Sequence, residues 1–267
     1  MASETTLLPI DEPTFDALRR RGYRGTAIPV HRALAWERVR ISTIVLAILA
    51  AAAFNALVVW QVDALMEFWR EVIAQALAPL LPASRVTLQA HELLPGWQVG
   101  VPDVDLGAGA PSGVQWLDAL LLGIGLLLAS LILPHRARPV AYLMRLVAIA
   151  QLSSNLYFYL APGQFPYSLR NHVTTLASGL VLLLLLVPWL HALAWYPFDH
   201  RWWRKLALTA LTLGFFAIYA PVSLAMHAWL IHDGSLVLQP VLYLVFGYPV
   251  QIFLLVCLYG WGMSWER

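Results

Sequence analysis

Long apolar runs separated by short polar turns fill most of this chain. From Ile41 onward six stretches, approximately 41–62, 114–134, 139–161, 172–195, 206–231 and 237–262, are apolar almost throughout. Each reaches the length of about 20 residues that a helix needs to cross a hydrocarbon core of roughly 30 Å. The pattern predicts an all-α integral membrane protein with about six transmembrane helices.

Between the first and second runs the period changes twice. In 63–80, Leu65, Phe68, Trp69, Val72, Ile73, Ala76, Leu77 and Leu80 recur at three- and four-residue steps, while Asp63, Glu67, Arg70, Glu71 and Gln75 take the other side. That spacing predicts an amphipathic helix, lying in the outer interface or packed on the bundle, and ended by Pro79 and Pro82. In 85–106, Val86, Leu88 and Ala90 alternate with Arg85, Thr87, Gln89 and His91. Pro95-Gly96 then marks a turn before Val99, Val101, Val104 and Leu106. This period of two predicts a small β-like cap outside the membrane. Gly107–Gly113 reads as a flexible return to the second span. The expected organisation is a cytoplasmic N-terminal segment at 1–40, a first span at 41–62, an extracytoplasmic helix and cap at 63–113, and a five-helix bundle at 114–267.

The charge map orients these runs. With the N-terminus in the cytoplasm, Arg19, Arg20, Arg21, Arg24, Arg32, Arg38, Arg40, Arg136, Arg138, Arg201, Arg204, Lys205 and Arg267 share the inner side. Only Arg70, Arg85 and Arg170 fall outside, and Arg145 lies within the third run. Cations concentrate on the cytoplasmic side of membrane proteins, so both termini are expected there. They are spread over several short loops, which suits anionic lipid headgroups and not nucleic acid.

Composition narrows the class further. At 60% apolar and 12% charged residues, the chain is not a soluble domain. The single cysteine, Cys257, excludes an internal disulfide framework and a thiolate zinc site, and reads as a small buried apolar residue. The first apolar run follows about 40 residues that carry many charges, which predicts an uncleaved anchor and not a signal peptide. Asp11-Glu12-Pro13 before Thr14–Arg19 resembles a helix start.

Polar residues inside apolar runs are costly, and each is a functional candidate. The expected topology places Asp118, the patch Gln151, Ser153, Ser154 and Asn155, His172, His227, His232 and Asp233 toward the outer side. With His91, Glu92, Asp103 and Asp105 of the cap, they form a set that can converge on one outward-facing site. One reading takes His227, His232 and Asp233, joined by His172 and Asp118, as metal ligands, because imidazole and carboxylate suit zinc or a similar ion. A second assigns acid–base catalysis to His227, Asp118, His172 and Asn155. The third makes all of them interhelical hydrogen-bonding or interfacial residues. His227 and His232 are five apart, not the four that puts two ligands on one helical face, so the spacing supports the third reading and no cofactor or metal is expected. Arg145 is close enough to the inner surface to snorkel. Asn55 reads as an interhelical hydrogen-bonding residue, and His191 and His200 as interfacial. Pro188, Pro221 and Pro249 predict interruptions whose freed carbonyls need partners.

Several classes are excluded by what the sequence lacks. It has no phosphate-binding loop and no nucleophile elbow. No run is rich in arginine, and no acidic pair recurs between runs. The order of an anchor span, an amphipathic helix, a small β-like cap and a compact bundle resembles the layout of accessory membrane proteins found beside bacterial exosortase systems. That resemblance of layout implies a non-catalytic companion of a sorting machine. The cysteine, arginine and histidine set of an exosortase itself is missing, with Cys257 expected near the cytoplasmic face. The reading is a non-catalytic inner-membrane accessory or scaffold subunit of a bacterial envelope export, protein-sorting or polymer-synthesis system. It would contact the lipid bilayer and, through 63–113, other membrane proteins. The alternative is an integral membrane enzyme or small transporter built on the outer His/Asp/Asn cluster.

Overall fold

The computed structural model describes residues 41–194 and 202–266. The expectations for 1–40, for His200, and for Arg201 and Arg267 lie outside the described residues. Among those described, the order is α1 (Ile41–Leu77), β1 (Arg85–Leu94), β2 (Trp97–Asp105), α2 (Gly113–Ile132), α3 (Arg138–Leu160), α4 (Leu169–Ala194), α5 (Trp202–Gly234), α6 (Gln239–Leu244) and α7 (Tyr248–Met263). Five segments are long and apolar enough to cross a membrane: α1, α2, α4, α5, and the stretch Leu236–Gly262 that contains α6 and α7. The expected third span forms α3, a helix of 23 residues. Arg145 and the run from Gln151 to Asn155 lower its hydropathy below that of the other five.

α1 departs from the expected division at residue 63. The first span and the amphipathic segment are one helix of 37 residues. At about 1.5 Å per residue it is about 55 Å long, nearly twice a hydrocarbon core of roughly 30 Å. No residue between Asp63 and Leu77 breaks helical propensity, and Pro79 is the first that must. The buried stripe is Val62, Met66, Trp69, Ile73 and Leu77, a run of three- and four-residue steps packed against α4 and α5. Phe68 and Leu80, expected on that face, are 43% and 52% exposed.

α4 and α5 form the centre, and their buried residues fill much of the core. α1 and the hairpin cover one side of this pair. α2 and α3 pack on each other, and α3 reaches the centre through α6 and the turn at 236–238. The hairpin is antiparallel, with Arg85 opposite Asp105 and Gln89 opposite Val101, and it carries an irregularity near Glu92. Gly96 has φ +80°, the left-handed conformation glycine adopts freely, which explains why Pro95-Gly96 makes the tight turn. Val99, Val101 and Val104 of β2 are buried against the helices. The return segment is pinned and not free: Leu236 N–H donates to Gly109 O at 3.4 Å, and His232 Nδ1 lies 3.0 Å from Gly107 O. A carbonyl can only accept, so His232 carries its proton on Nδ1.

Two expectations about single residues are corrected. Cys257 is exposed on α7 and not buried, because the apolar surface of this bundle faces outward as well as inward. His191 is not interfacial: it is 2% exposed, between α4 and α5, with Nδ1 3.0 Å from Thr209 Oγ1. Thr209 Oγ1 donates to Lys205 O, so it accepts the imidazole N–H. Arg145 is half-buried and donates from Nε to Ser130 Oγ at 3.2 Å, tying α3 to the end of α2.

Prolines inside helices leave carbonyls without donors, as expected, and one such carbonyl has an identifiable partner. Pro221 has no N–H, so the Ala217 carbonyl one turn earlier lacks its helical donor. Trp69 Nε1–H donates to that carbonyl at 2.8 Å. The amphipathic half of α1 thus repairs the backbone of α5.

Candidate functional site

The polar patch of α3 resolves into joints between elements. Asn155 Nδ2–H donates to Trp116 O at 2.8 Å, and Trp116 Nε1–H donates back to Asn155 O at 2.9 Å. Gln151 Nε2–H donates to Asn155 Oδ1 at 2.8 Å, and Ser154 Oγ–H to Val237 O at 2.7 Å. These bonds hold α2, α3 and the 236–238 turn together. Ser153 is exposed. Asp118 is exposed on α2 and makes no hydrogen bond or ion pair with the described residues. It does not join Asn155, His172 or His227.

His172 and His227 do meet. The first turn of α4 and the last third of α5 bring His172 Nε2 and His227 Nδ1 to 3.0 Å, with the rings stacked at 26°. Both side chains are buried. His232 bonds the return segment instead, and the Asp233 carbonyl accepts from Gln115 Nε2. Among the described residues no three His, Cys, Asp or Glu side chains are grouped to hold a metal ion. The candidate His227, His232 and Asp233 set is therefore not brought together among the described residues.

The shared bond leaves one nitrogen on each ring, His172 Nδ1 and His227 Nε2, without a hydrogen-bond partner among the described residues. In the shared bond one ring donates its N–H and the other accepts, according to the tautomer.

His172 also lines a cavity of about 260 Å³ with Phe165, Tyr167, Gln239 and Tyr243. The sequence reading missed Gln239 and Tyr243. The signal was Gly247-Tyr248-Pro249 inside an apolar run. There the last segment breaks between α6 and α7, and α6 turns Gln239 and Tyr243 toward α4. An ideal Cβ on Gly247 would lie 2.5 Å from Tyr243 O, so only glycine allows the chain to fold back this closely. Tyr248 follows the break and donates its hydroxyl to Thr175 O at 3.0 Å.

A second cavity, of about 380 Å³, lies between the hairpin and α4, and His91 and Arg170 are among its lining residues. Tyr167, Asn171 and Thr175 line both cavities. Arg170 is committed to the hairpin: its Nη2 is 3.0 Å from Asp103 Oδ2 and 3.8 Å from Asp105 Oδ1. Burial raises the Asp103 carboxyl above its ordinary range, and the Arg170 guanidinium pulls it back. Glu92 accepts from Gly96 N–H at the hairpin turn. The acidic residues of the hairpin are thus structural partners and do not reach His172.

The chemistry open to the histidine site is narrow. Two bonded imidazoles are present, but no Asp or Glu lines the cavity beside them to orient or charge-compensate an imidazolium. Comparison with known protein families, with curated proteins and with solved structures gave no match.

Proposed function

We propose that this chain is a non-catalytic accessory or assembly subunit of a bacterial inner-membrane system for envelope export, protein sorting or polymer synthesis. Both termini are cytoplasmic and the hairpin faces outward. α3 crosses as a sixth span, bonded along its length to α2. The hairpin and the second half of α1 form the surface offered to a partner in the membrane. What supports this reading is the fate of the polar candidates. Asn155, Gln151 and Ser154 bond neighbouring helices and turns, Asp118 stands apart, and the hairpin carboxylates are used to dock it. Polar groups spent on helix joints are the usual glue of membrane bundles.

One observation favours the alternative of an enzyme or small transporter, namely the cavity beside the His172–His227 pair. Substitution separates the two. His227→Gln keeps a polar side chain at the joint, and Asp118→Asn keeps the shape of an exposed residue. Each variant, accumulating normally in the membrane, is expected to complement a deletion of the gene nearly as well as the parent. A loss of about a hundredfold in the rate of the pathway for both, as removal of a general acid or base produces, overturns the accessory reading.

The orientation has its own test. In a Cys257→Ser background, cysteines at the exposed Ala110 and Gln164 are expected to react in intact cells with a membrane-impermeant maleimide, and one at Ala137 is not. These positions carry no helix cap, unlike Ser112 and Ser168. Labelling of Ala137 from outside reverses the topology.

A further inference from the structure

The two cavities at the start of α4 adjoin, and their walls differ in kind. Tyr167, Asn171 and Thr175 line both. The larger, of about 380 Å³, has Gln89 and His91 of β1 on one side and Arg170 of α4 on the other, all exposed. That volume falls within the usual range of ligand pockets, about 300 to 1,000 Å³. The smaller, of about 260 Å³, is walled by Phe165, Pro240, Tyr243 and the exposed Leu244. Gln239 Oε1 and His172 Nδ1 are closed off from it, so its wall is largely apolar. A polar chamber thus opens beside an apolar one. α3 ends at Leu160 and α4 begins at Leu169. The pair of chambers therefore sits where these helices end, at the depth of lipid headgroups.

Charge decides what the polar chamber takes. Arg170 Nη2 is engaged by Asp103 Oδ2 at 3.0 Å and Asp105 Oδ1 at 3.8 Å. Nε and Nη1 make no bond with the described residues, and the side chain is 48% exposed. The arginine carries +1 and the carboxylates −1 each, so the trio has a formal charge of −1. A lone anion meets two carboxylates around the arginine. A lone cation meets the guanidinium. A group that carries both charges satisfies both partners. Its phosphate accepts from Nε and Nη1 and from the Asn171 amide, and its ammonium donates to Asp105, which is 68% exposed. The ammonium must keep N–H groups, because a quaternary one cannot donate to the carboxylate.

We propose that the two chambers bind one phospholipid with an ethanolamine-type headgroup. Its phosphate rests on Arg170 and Asn171, its ammonium on Asp105, and the start of one acyl chain fills the apolar chamber. The site does not depend on the accessory reading of the whole protein.

The test uses the full chain, delipidated in detergent and given equimolar phosphatidylethanolamine, phosphatidylcholine and phosphatidylglycerol with identical acyl chains. Native mass spectrometry reads what is retained. The ethanolamine lipid is expected to exceed each of the others about tenfold, the effect of one charge-assisted hydrogen bond. Asp105→Asn keeps the shape of an exposed side chain and is expected to abolish that preference. Asp118→Asn removes an exposed acid elsewhere and is expected to leave it unchanged. Arg170→Gln is expected to lower retention of all three lipids, and where it does not fold Asp105→Asn decides the matter. Equal retention by the parent overturns the proposal, as does a preference for phosphatidylglycerol. So does a preference that survives Asp105→Asn, or retention unchanged in a folded Arg170→Gln, because the headgroup then binds elsewhere. Displacement of the lipid by O-phosphoethanolamine, which has no acyl chain, makes the site one for a soluble zwitterion and overturns the lipid assignment.

Discussion

Trp69→Phe is expected to destabilise the protein by about 1–3 kcal/mol, and by clearly less when Pro221 is replaced by alanine. The first figure is the cost of leaving a buried carbonyl without its donor. Trp69 is fully buried, and its indole N–H holds the Ala217 carbonyl that Pro221 leaves open. Phenylalanine keeps most of the apolar bulk but cannot donate. In a Pro221→Ala background residue 221 has an N–H again, and the helix can satisfy Ala217 by itself. The tryptophan's hydrogen bond then becomes redundant, so the two substitutions are coupled and not additive. Trp69→Ala adds the loss of the ring and is expected to cost about 3–5 kcal/mol. Glu67→Ala is the control. Glu67 is exposed and, among the described residues, pairs only with Arg70, so the change is expected to stay within about 0.5 kcal/mol. Reversible unfolding of the purified variants in mixed micelles, read by circular dichroism, gives all the values. Equal costs of Trp69→Phe in both backgrounds would mean that the indole acts by packing alone.

Gly247→Ala is expected to cost about 1–3 kcal/mol, the usual range for forcing a methyl into filled space. The methyl would meet the Tyr243 carbonyl at 2.5 Å and Leu176 Cδ2 at 3.2 Å. The first is backbone and cannot rotate away, so α6 must shift. Because α6 carries Gln239 and Tyr243, the cavity beside His172 changes shape with it. Gly260→Ala, in α7, places its methyl in open space. There the gain in helix propensity, up to about 1 kcal/mol, is expected to stabilise. The same unfolding assay compares the two. A Gly247→Ala variant as stable as the parent shows that the break does not require glycine.

The parts of this protein legible in its sequence are those set by local repetition. A run of about 20 apolar residues says helix and membrane, because no other segment can be buried in lipid with its backbone satisfied. α2, α4 and α5 follow from that rule. The hairpin follows from a period of two around Pro95-Gly96, and its strands run from Arg85 to Leu94 and from Trp97 to Asp105. The rule fails where helicity and environment part company. Residues 41–62 and 63–77 differ in pattern because one half is apolar almost throughout and the other carries polar residues on one side. Neither difference interrupts hydrogen bonding along the backbone, so α1 continues through both.

Among the candidate residues, the sequence determined which were polar in apolar surroundings and therefore needed partners. It put Asn155, His172 and His227 in that class. Which partner each one took was decided only by the tertiary structure. Asn155 met Trp116 across a helical hairpin, while His172 met His227 from 55 positions away. Asp118, equally polar, met no partner among the described residues because its side of α2 faces outward. The reason is geometric: a helix fixes the direction of a side chain to a face, but the rotation of that face against its neighbours depends on every contact in the bundle. The same holds for Trp69 and Pro221. The sequence required that the Ala217 carbonyl find a donor, and only the packing of α1 against α5 supplied an indole at 2.8 Å.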